Sequence, residues 1–276
     1  MPAEQPISEH ARRAARTYGA AADHYSLAAL NFWDRFGAAT VSRLPLITGH
    51  AVLDLCCGAG ASAIPAARVV RPEGRVLGVD VAEPLLKIAR ARAAREGLAN
   101  IEFRYGDATR IALPDGSFDA VICVFGVFFV PDMAGFVAEM WRLVRPGGVL
   151  AITTWGPGLF EPANTAFWKS VRDVEPSLFK AFNPWDEITT EAALEDLLSR
   201  GGVKHPTVIA APGSHHLDHP DRFWDIVLGS GYRATIDALS QEQHDLIRRR
   251  VLGELQSDGI TSLRTDVVFG TAQRPK

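Results

Sequence analysis

The sequence predicts a doubly wound α/β fold: a mostly parallel, seven-stranded sheet with an N-terminal helical lid and helical insertions late in the chain. Two observations predict it. From about residue 50, short β-branched runs alternate with amphipathic stretches, the pattern of βα units around a parallel sheet. Glycine turns and aspartates then stand at the ends of successive runs, where open α/β sheets keep their ligand sites.

The elements follow in order. Ala51–Leu55 is a first strand that runs into Gly58-Ala59-Gly60, with a helix from Ala61. Arg75–Asp80 is the second. The helix behind it opens at Glu83-Pro84, where proline suits a helix start, and closes near Gly97. Ile101–Tyr105 is the third strand, alternating in and out. Past the turn at Pro114-Asp115-Gly116-Ser117, Phe118–Val124 is a buried fourth. Asp132 caps a helix whose Phe136, Val137, Met140, Trp141 and Val144 share one face. It stops at Arg145-Pro146-Gly147-Gly148, and Val149–Thr154 is the fifth strand. Regularity then breaks: residues 155–202 are rich in aromatics and proline and finish in a helix around Glu191–Arg200. Strands at Val203–Ala210 and Leu263–Ala272 complete the seven, separated by mostly helical residues (Phe223–Leu228, Gln241–Gln256). The expected organisation is a lid over residues 1–45 and one domain over 46–276, with cap insertions at about 156–202 and 218–258.

Composition narrows the partners. The 276 residues are 47% hydrophobic and 22% charged, with a formal net charge of −3, ordinary for a globular protein. No basic excess asks for nucleic acid or an anionic membrane, and Arg248-Arg249-Arg250 reads as a solvated helix face. The N-terminus is polar through Arg16, and the longest apolar run, Ala120–Val130, is too short for a bilayer. Three cysteines, two of them adjacent (Cys56 and Cys57), argue against a disulfide framework and for a reducing compartment. These features predict a cytoplasmic monomer or homodimer acting on a small molecule.

Three features at strand ends describe an adenosine-shaped site. Gly58 and Gly60 let the backbone turn sharply and approach a ligand without a Cβ in the way. Asp80, twenty residues beyond Gly60, can accept from both hydroxyls of a ribose and would repel a 2′-phosphate. Asp107 can accept from an adenine amine while the Ala108 N–H meets a ring nitrogen. Each alone has an ordinary structural explanation; their order in one βαβαβ run does not. A dinucleotide is the rival, because Gly58-Ala59-Gly60-Ala61-Ser62-Ala63 also fits G-x-G-x-x-A. Against it, Asp54 would meet a pyrophosphate with negative charge, whereas an acid there helps to hold an ammonium. Fifty residues also precede the first βα unit.

The stretches VLDLCCGAG, GVD, GDA, LPDGSFDAVICVFGV and MWRLVRPGG resemble the successive motifs of class I S-adenosylmethionine (SAM)-dependent methyltransferases, especially the ubiquinone/menaquinone-biosynthesis type. The resemblance covers about residues 50–155. It implies SAM as cofactor, with Asp54, Gly58 and Gly60 at the methionine end, Asp80 and Val81 at the ribose, Asp107 and Ala108 at the adenine, and Val124 and Phe125 as the floor near the sulfonium. One departure stands out: the first glycine of the usual G-x-G-x-G turn is Cys56, a small thiol that fits if φ there is negative. The resemblance also makes Tyr18 or Tyr25 the lid tyrosine over the methionine carboxylate.

Methyl transfer needs alignment and dryness more than a base. The acceptor site is expected from segments outside the cofactor motifs, with Phe32, Trp33, Trp155, Phe160, Trp168, Trp224 and Tyr232 as lining residues, which implies an apolar or aromatic acceptor methylated on carbon or oxygen. His24, His215 and His216 are base candidates, since imidazole titrates near neutrality, and Tyr232 can orient a hydroxyl. His215-His216-Leu217-Asp218-His219 is loosely spaced and expected in a loop, so no metal site is expected. Two further readings stand: a SAM-binding protein that has lost methyl transfer, and an NAD-dependent oxidoreductase. A nucleic-acid methyltransferase is disfavoured, because Cys123-Val124-Phe125-Gly126 lacks the Asn/Asp-Pro-Pro-aromatic motif.

Overall fold

The computed structural model describes residues 7–276, so the first six residues of the expected lid lie outside the described residues. In chain order the elements are α1 (Glu9–Ala21), α2 (Phe32–Val41), β1 (Ala51–Leu55), α3 (Ala63–Val70), β2 (Arg75–Asp80), α4 (Glu83–Arg95), β3 (Ile101–Tyr105), β4 (Phe118–Val124), α5 (Met133–Leu143), β5 (Val144–Trp155), α6 (Ala163–Val174), α7 (Glu191–Arg200), β6 (Thr207–Ala211), β7 (Ser214–His216), α8 (Phe223–Leu228), α9 (Arg233–Ile236), α10 (Gln241–Ser257), β8 (Ser262–Arg264) and β9 (Val267–Gln273).

Seven strands form one sheet in the order β3-β2-β1-β4-β5-β9-β6. Neighbours from β3 to β5 run parallel, and β9 is antiparallel to both β5 and β6. The order reverses at β1, which lies between β2 and β4, so the C-terminal ends of β1 and β4 diverge into a crevice. Both central strands are nearly continuous apolar runs because helices cover both faces. Side chains alternate across the sheet: Val52, Ile122 and Phe103 pack with Ile64, Ala67 and Leu86 of α3 and α4 on one face. Leu53, Leu55 and Val121 pack with Met140 and Leu197 of α5 and α7 on the other.

The expected lid divides in two. From α2, Phe32 and Phe36 sink into the core, and Thr40 Oγ1 lies 2.7 Å from Thr153 Oγ1 of β5. At Gly37 an added Cβ would stand 2.3 Å from the Ala61 carbonyl oxygen, so α2 rests backbone to backbone on the turn after β1. By contrast, α1 buries only Ala21 fully and lies over the strand ends, capped by Ser8, whose Oγ accepts from the Ala11 N–H.

Late in the chain four readings change. The last strand is two, β8 and β9, interrupted at Thr265 and Asp266. His215 and His216 are not in a loop but form β7, paired with β8, which buries His215 beside Phe32. Strand β6 starts at Thr207 rather than Val203, after Pro206, which has no N–H to give a ladder. Helix α6 fills a stretch read as irregular, with Ala163, Phe167 and Val171 on its buried face. Among the described residues no helix is long and apolar enough to cross a membrane.

Candidate functional site

The site begins where β1 ends. Cys56 has φ +58, correcting the negative value expected, and Gly58 and Gly60 have φ +51 and +82. A left-handed cysteine costs roughly 1–2 kcal/mol. Its side chain is tolerated because Gly126 leaves room: a Cβ there would stand 2.5 Å from Cys56 Cβ and 2.8 Å from Cys123 Sγ. Phe125, ending the neighbouring strand, is also left-handed (φ +54), its ring stacked 3.8 Å from Trp155 at 11°. Phe160, the third such residue here, has φ +58. Strain of this kind persists where surrounding structure enforces it, and it collects at functional sites.

Asp80 grips the turn. Its Oδ2 accepts from the Gly58 N–H and its Oδ1 from the Ala82 N–H, both at 2.8 Å. A carboxylate offers about four acceptor positions, so about two remain for a ligand's hydroxyls. Burial pushes its carboxyl above the ordinary value, opposed by those backbone N–H groups. Asp107 is heavily engaged by the protein itself. Oδ2 accepts from the Ser8 N–H (3.0 Å) and hydroxyl (2.6 Å), and Oδ1 from the Thr109 N–H (3.0 Å) and hydroxyl (2.7 Å). These bonds outweigh partial burial and hold its carboxyl below the ordinary value. Its visible work is to pin the start of α1 across the end of β3.

One cavity, with about 930 Å³ of empty space partly open to solvent, joins Tyr18, Tyr25, Cys56, Gly58, Asp80, Val81, Asp107, Ala108, Val124 and Phe125. Two expected residues do not line it. Gly60 lies behind the turn, where an added Cβ would meet Ile64 and Phe103 at 3.1–3.2 Å. Asp54 is fully buried beneath the turn, its Oδ2 accepting from the Ser62 hydroxyl at 2.7 Å. Burial lifts its carboxyl to about 7, the Ser62 bond opposing. Its Oδ1 has no partner among the described residues, while Ser62 does line the cavity. These residues fit SAM. At Gly58 a Cβ would fill the gap to Tyr25 Oη, 3.4 Å away. Asp80 would suit a ribose, and the Asp54–Ser62 pair would put negative character beside a bound methionine ammonium. Burial keeps Tyr18 and Tyr25 neutral, their phenols pushed above the ordinary value, and Tyr25 stacks on Trp33 at 5.6 Å.

A smaller chamber, with about 340 Å³ of empty space partly open to solvent, adjoins it through shared residues Tyr18 and Trp33. Its walls are Phe128, Trp155, Leu159, Phe160, Trp185, Ser230, Gly231 and Tyr232. Of the expected acceptor residues, Trp33, Trp155, Phe160 and Tyr232 meet here. The other three do not. Phe32 is wholly buried between Trp33, Trp155, Phe160 and His215. Trp168 faces an outer groove that shares Leu159 and Trp185 with the chamber. Trp224 is core, its ring edge-on to His244. Tyr232 donates to Asn164 Oδ1 at 2.6 Å, so its hydroxyl is occupied.

None of the expected bases reaches either cavity. His24 pairs with Asp23 at 2.8 Å, His216 is exposed, and His215 is buried, with burial and Arg35 lowering its pKa. Among the described residues no group of three or more His, Cys, Asp or Glu could hold a metal ion. Sequence reasoning missed Ser8, His10, Thr109, Phe129 and Leu159 as wall residues. Ser8 carries a readable helix-cap signal, but nothing in the sequence pairs it with Asp107, 99 residues away.

A family model described as a methyltransferase domain matches residues 52–148. Demethylmenaquinone methyltransferase of Lactococcus lactis is 37% identical over 152 residues, 54% of this chain and 59% of that protein. The same-named protein of Listeria monocytogenes serotype 4a is 32% identical over 191 residues, 65% of this chain and 81% of that one. In fold, the chain is similar to phosphoethanolamine N-methyltransferase 2 of Haemonchus contortus in complex with SAM (TM-score 0.60, 20% identity, 98% of this chain and 61% of that). It is equally similar to the 4+2 cyclase SpnF (TM-score 0.59, 17% identity, 99% and 98%), so the fold also serves a protein named for another reaction.

Proposed function

The chain belongs to the SAM-dependent methyltransferases, in the group that includes the demethylmenaquinone enzymes, and from this premise we propose that it methylates a small, flat, largely apolar ring of the quinol or phenol class, on carbon or oxygen. One observation carries the reading: an aromatic chamber shares Tyr18 and Trp33 with the cavity whose residues fit SAM. Seven of the chamber's ten wall residues are aromatic, which suits a flat apolar guest held by stacking and edge contacts.

When bound, SAM supplies an electrophilic methyl group on a sulfonium. The chain's own residues do the rest. Asp80 and the Gly58 turn hold the ribose and the methionine end; Val124 and Phe125 form the floor. Trp155, stacked on Phe125, carries that floor into the acceptor chamber, where a ring would lie beside the residues that would hold SAM. Alignment of this kind and exclusion of water account for most of the rate such a reaction requires. Leu159 and Trp185 separate the chamber from the outer groove. Free Cys56, Cys57 and Cys123 suit the cytoplasm.

The test is to incubate the protein with SAM and a panel of prenylated naphthoquinols and simple phenols, following mass. A gain of 14 daltons on a panel member, with S-adenosylhomocysteine released in equal amount, is expected. S-adenosylhomocysteine binding with no gain on any ring would refute the reading in favour of a protein that keeps the fold without methyl transfer.

A further inference from the structure

Two polar atoms in the chamber wall have no hydrogen-bond partner among the described residues: the Trp33 indole Nε1 and the Ser230 Oγ. Trp33 is 8% exposed and Ser230 3%, so neither atom has its hydrogen bonds met by bulk water. An unmet hydrogen bond in so apolar a place is costly, and a ligand that met it would recover that cost. The neighbouring Tyr232 hydroxyl is already taken up by Asn164, so it does not compete for the same ligand atoms.

The fold sets Ser230 in place. It sits in the short turn between α8 and α9, its carbonyl accepting from the Arg233 N–H at 3.0 Å while its side chain stays free. Gly229 before it is pressed against the N-terminal segment, where a Cβ would stand 2.4 Å from Leu30 Cδ2. A Cβ on Gly231 after it would stand 3.7 Å from Tyr18 Oη. Trp33 enters the same wall from α2, fixed by Tyr25 on one side and by Trp155 at 5.6 Å. Two elements far apart in sequence thus bring one N–H donor and one hydroxyl, both buried, into the wall around a single aromatic space.

We propose that Trp33 and Ser230 are the specificity-determining residues of the acceptor site, and that together they hold the oxygen functions of a hydroxylated or carbonyl-bearing ring. Trp33 Nε1–H donates to a ring oxygen. Ser230 Oγ–H donates to an oxygen or accepts from a ring hydroxyl. A ring without oxygen leaves both atoms unmet and is rejected. The inference rests on the proposed acceptor chamber and adds the atoms that choose among apolar rings.

The experiment is calorimetric titration of the S-adenosylhomocysteine-loaded full chain with 1-naphthol and with 1-methylnaphthalene, two rings of nearly equal size. Wild type, Ser230→Ala and Trp33→Phe are compared. Wild type should prefer 1-naphthol about tenfold or more, and each variant should shrink that preference several-fold. Binding of 1-methylnaphthalene should stay within about twofold, and in Ser230→Ala, whose residue lies outside the cofactor cavity, S-adenosylhomocysteine affinity should not change. The Tm of Ser230→Ala should hold or rise, because an unmet hydroxyl is gone; a merely structural serine would lower it. Equal losses for both rings, or a preference that survives both substitutions, overturns the inference and leaves the acceptor chamber standing. Failure of wild type to bind either ring overturns both.

Discussion

The cavity assigned to SAM and the chamber assigned to the acceptor share Tyr18 and Trp33 yet are built from different material. The first is made of strand ends and backbone: the left-handed turn at Cys56 and Gly58, Asp80 holding two N–H groups, and Phe125 closing β4. The second is made of side chains from widely separated segments: Trp33 from α2, Phe160 before α6, Trp185 from a short 3-10 turn, and Ser230 and Tyr232 between α8 and α9. Geometry fixed by a sheet changes little when surface side chains change. Geometry assembled from insertions can be re-lined one ring at a time while the cofactor half stays as it is, and this division lets one fold serve many acceptors.

The sharpest way to break the comparison is to cut the segment that belongs to both halves. Removing residues 1–22 takes away α1 with Tyr18 and the Ser8–Asp107 bonds but, among the described residues, only one fully buried side chain. That variant should melt cooperatively and bind S-adenosylhomocysteine roughly 10–100-fold more weakly, from the hydrogen bonds and wall lost. Removing residues 1–41 also takes Leu30, Phe32 and Phe36 out of the core. At about 2–5 kcal/mol each, that loss rivals a typical folding stability of about 5–15 kcal/mol, so no cooperative melt should remain. Full affinity in the shorter truncation would take α1 out of the cavity wall.

A crossed pair of substitutions tests the division itself. Asp80→Ala should weaken S-adenosylhomocysteine by about 1–3 kcal/mol, since ribose hydroxyls lose their acceptor and the Gly58 N–H loses its partner. Trp185→Ala should leave that affinity alone and raise the acceptor KM by roughly 3–10-fold, the worth of one aromatic contact. If either variant moves both readouts equally, the two halves are not separate.

The same difference explains what the sequence disclosed. Strands β1 to β4 and their helices were legible because each parallel strand is a short apolar run and each acts at its own C-terminal end. Asp80 and Gly58 could be placed by counting. Asp54 was misplaced in depth, not in order: the period-two alternation of a strand puts it beneath the turn, and only Ser62 carries it toward the cavity. The chamber was half legible. Aromatic content marked the right segments, but the sequence could not say that Phe32 and Trp224 turn into the core while Trp33 and Trp185 turn to the cavity, because that choice is made by packing between distant elements. Cys56 was read with the wrong φ for the same reason: the room for a left-handed cysteine comes from Gly126, 70 residues on.

The pH response of Asp54 is the effect whose sign is most constrained. Asp54 has its carboxyl raised from an ordinary 3.8 to about 7, chiefly by burial. Between those values the folded chain holds a proton that the unfolded chain has released, so stability is full below about pH 4 and falls as pH rises to about 7. Asp107, held below its ordinary value, has the opposite sense: its contribution is present at neutral pH and is lost on acidification. Asp54→Asn should therefore match wild type in Tm near pH 4 and exceed it by pH 8. The ceiling on that gain is about 4 kcal/mol, from about 1.4 kcal/mol per pH unit across the interval. The same variant should bind S-adenosylhomocysteine several-fold more weakly at pH 8, because the negative character behind Ser62 is gone. Thermal melts across pH 4–8, with and without ligand, separate the two effects. A gain in Tm with unchanged affinity would confine Asp54 to the core and leave Ser62 as the cavity's own contact at the methionine end.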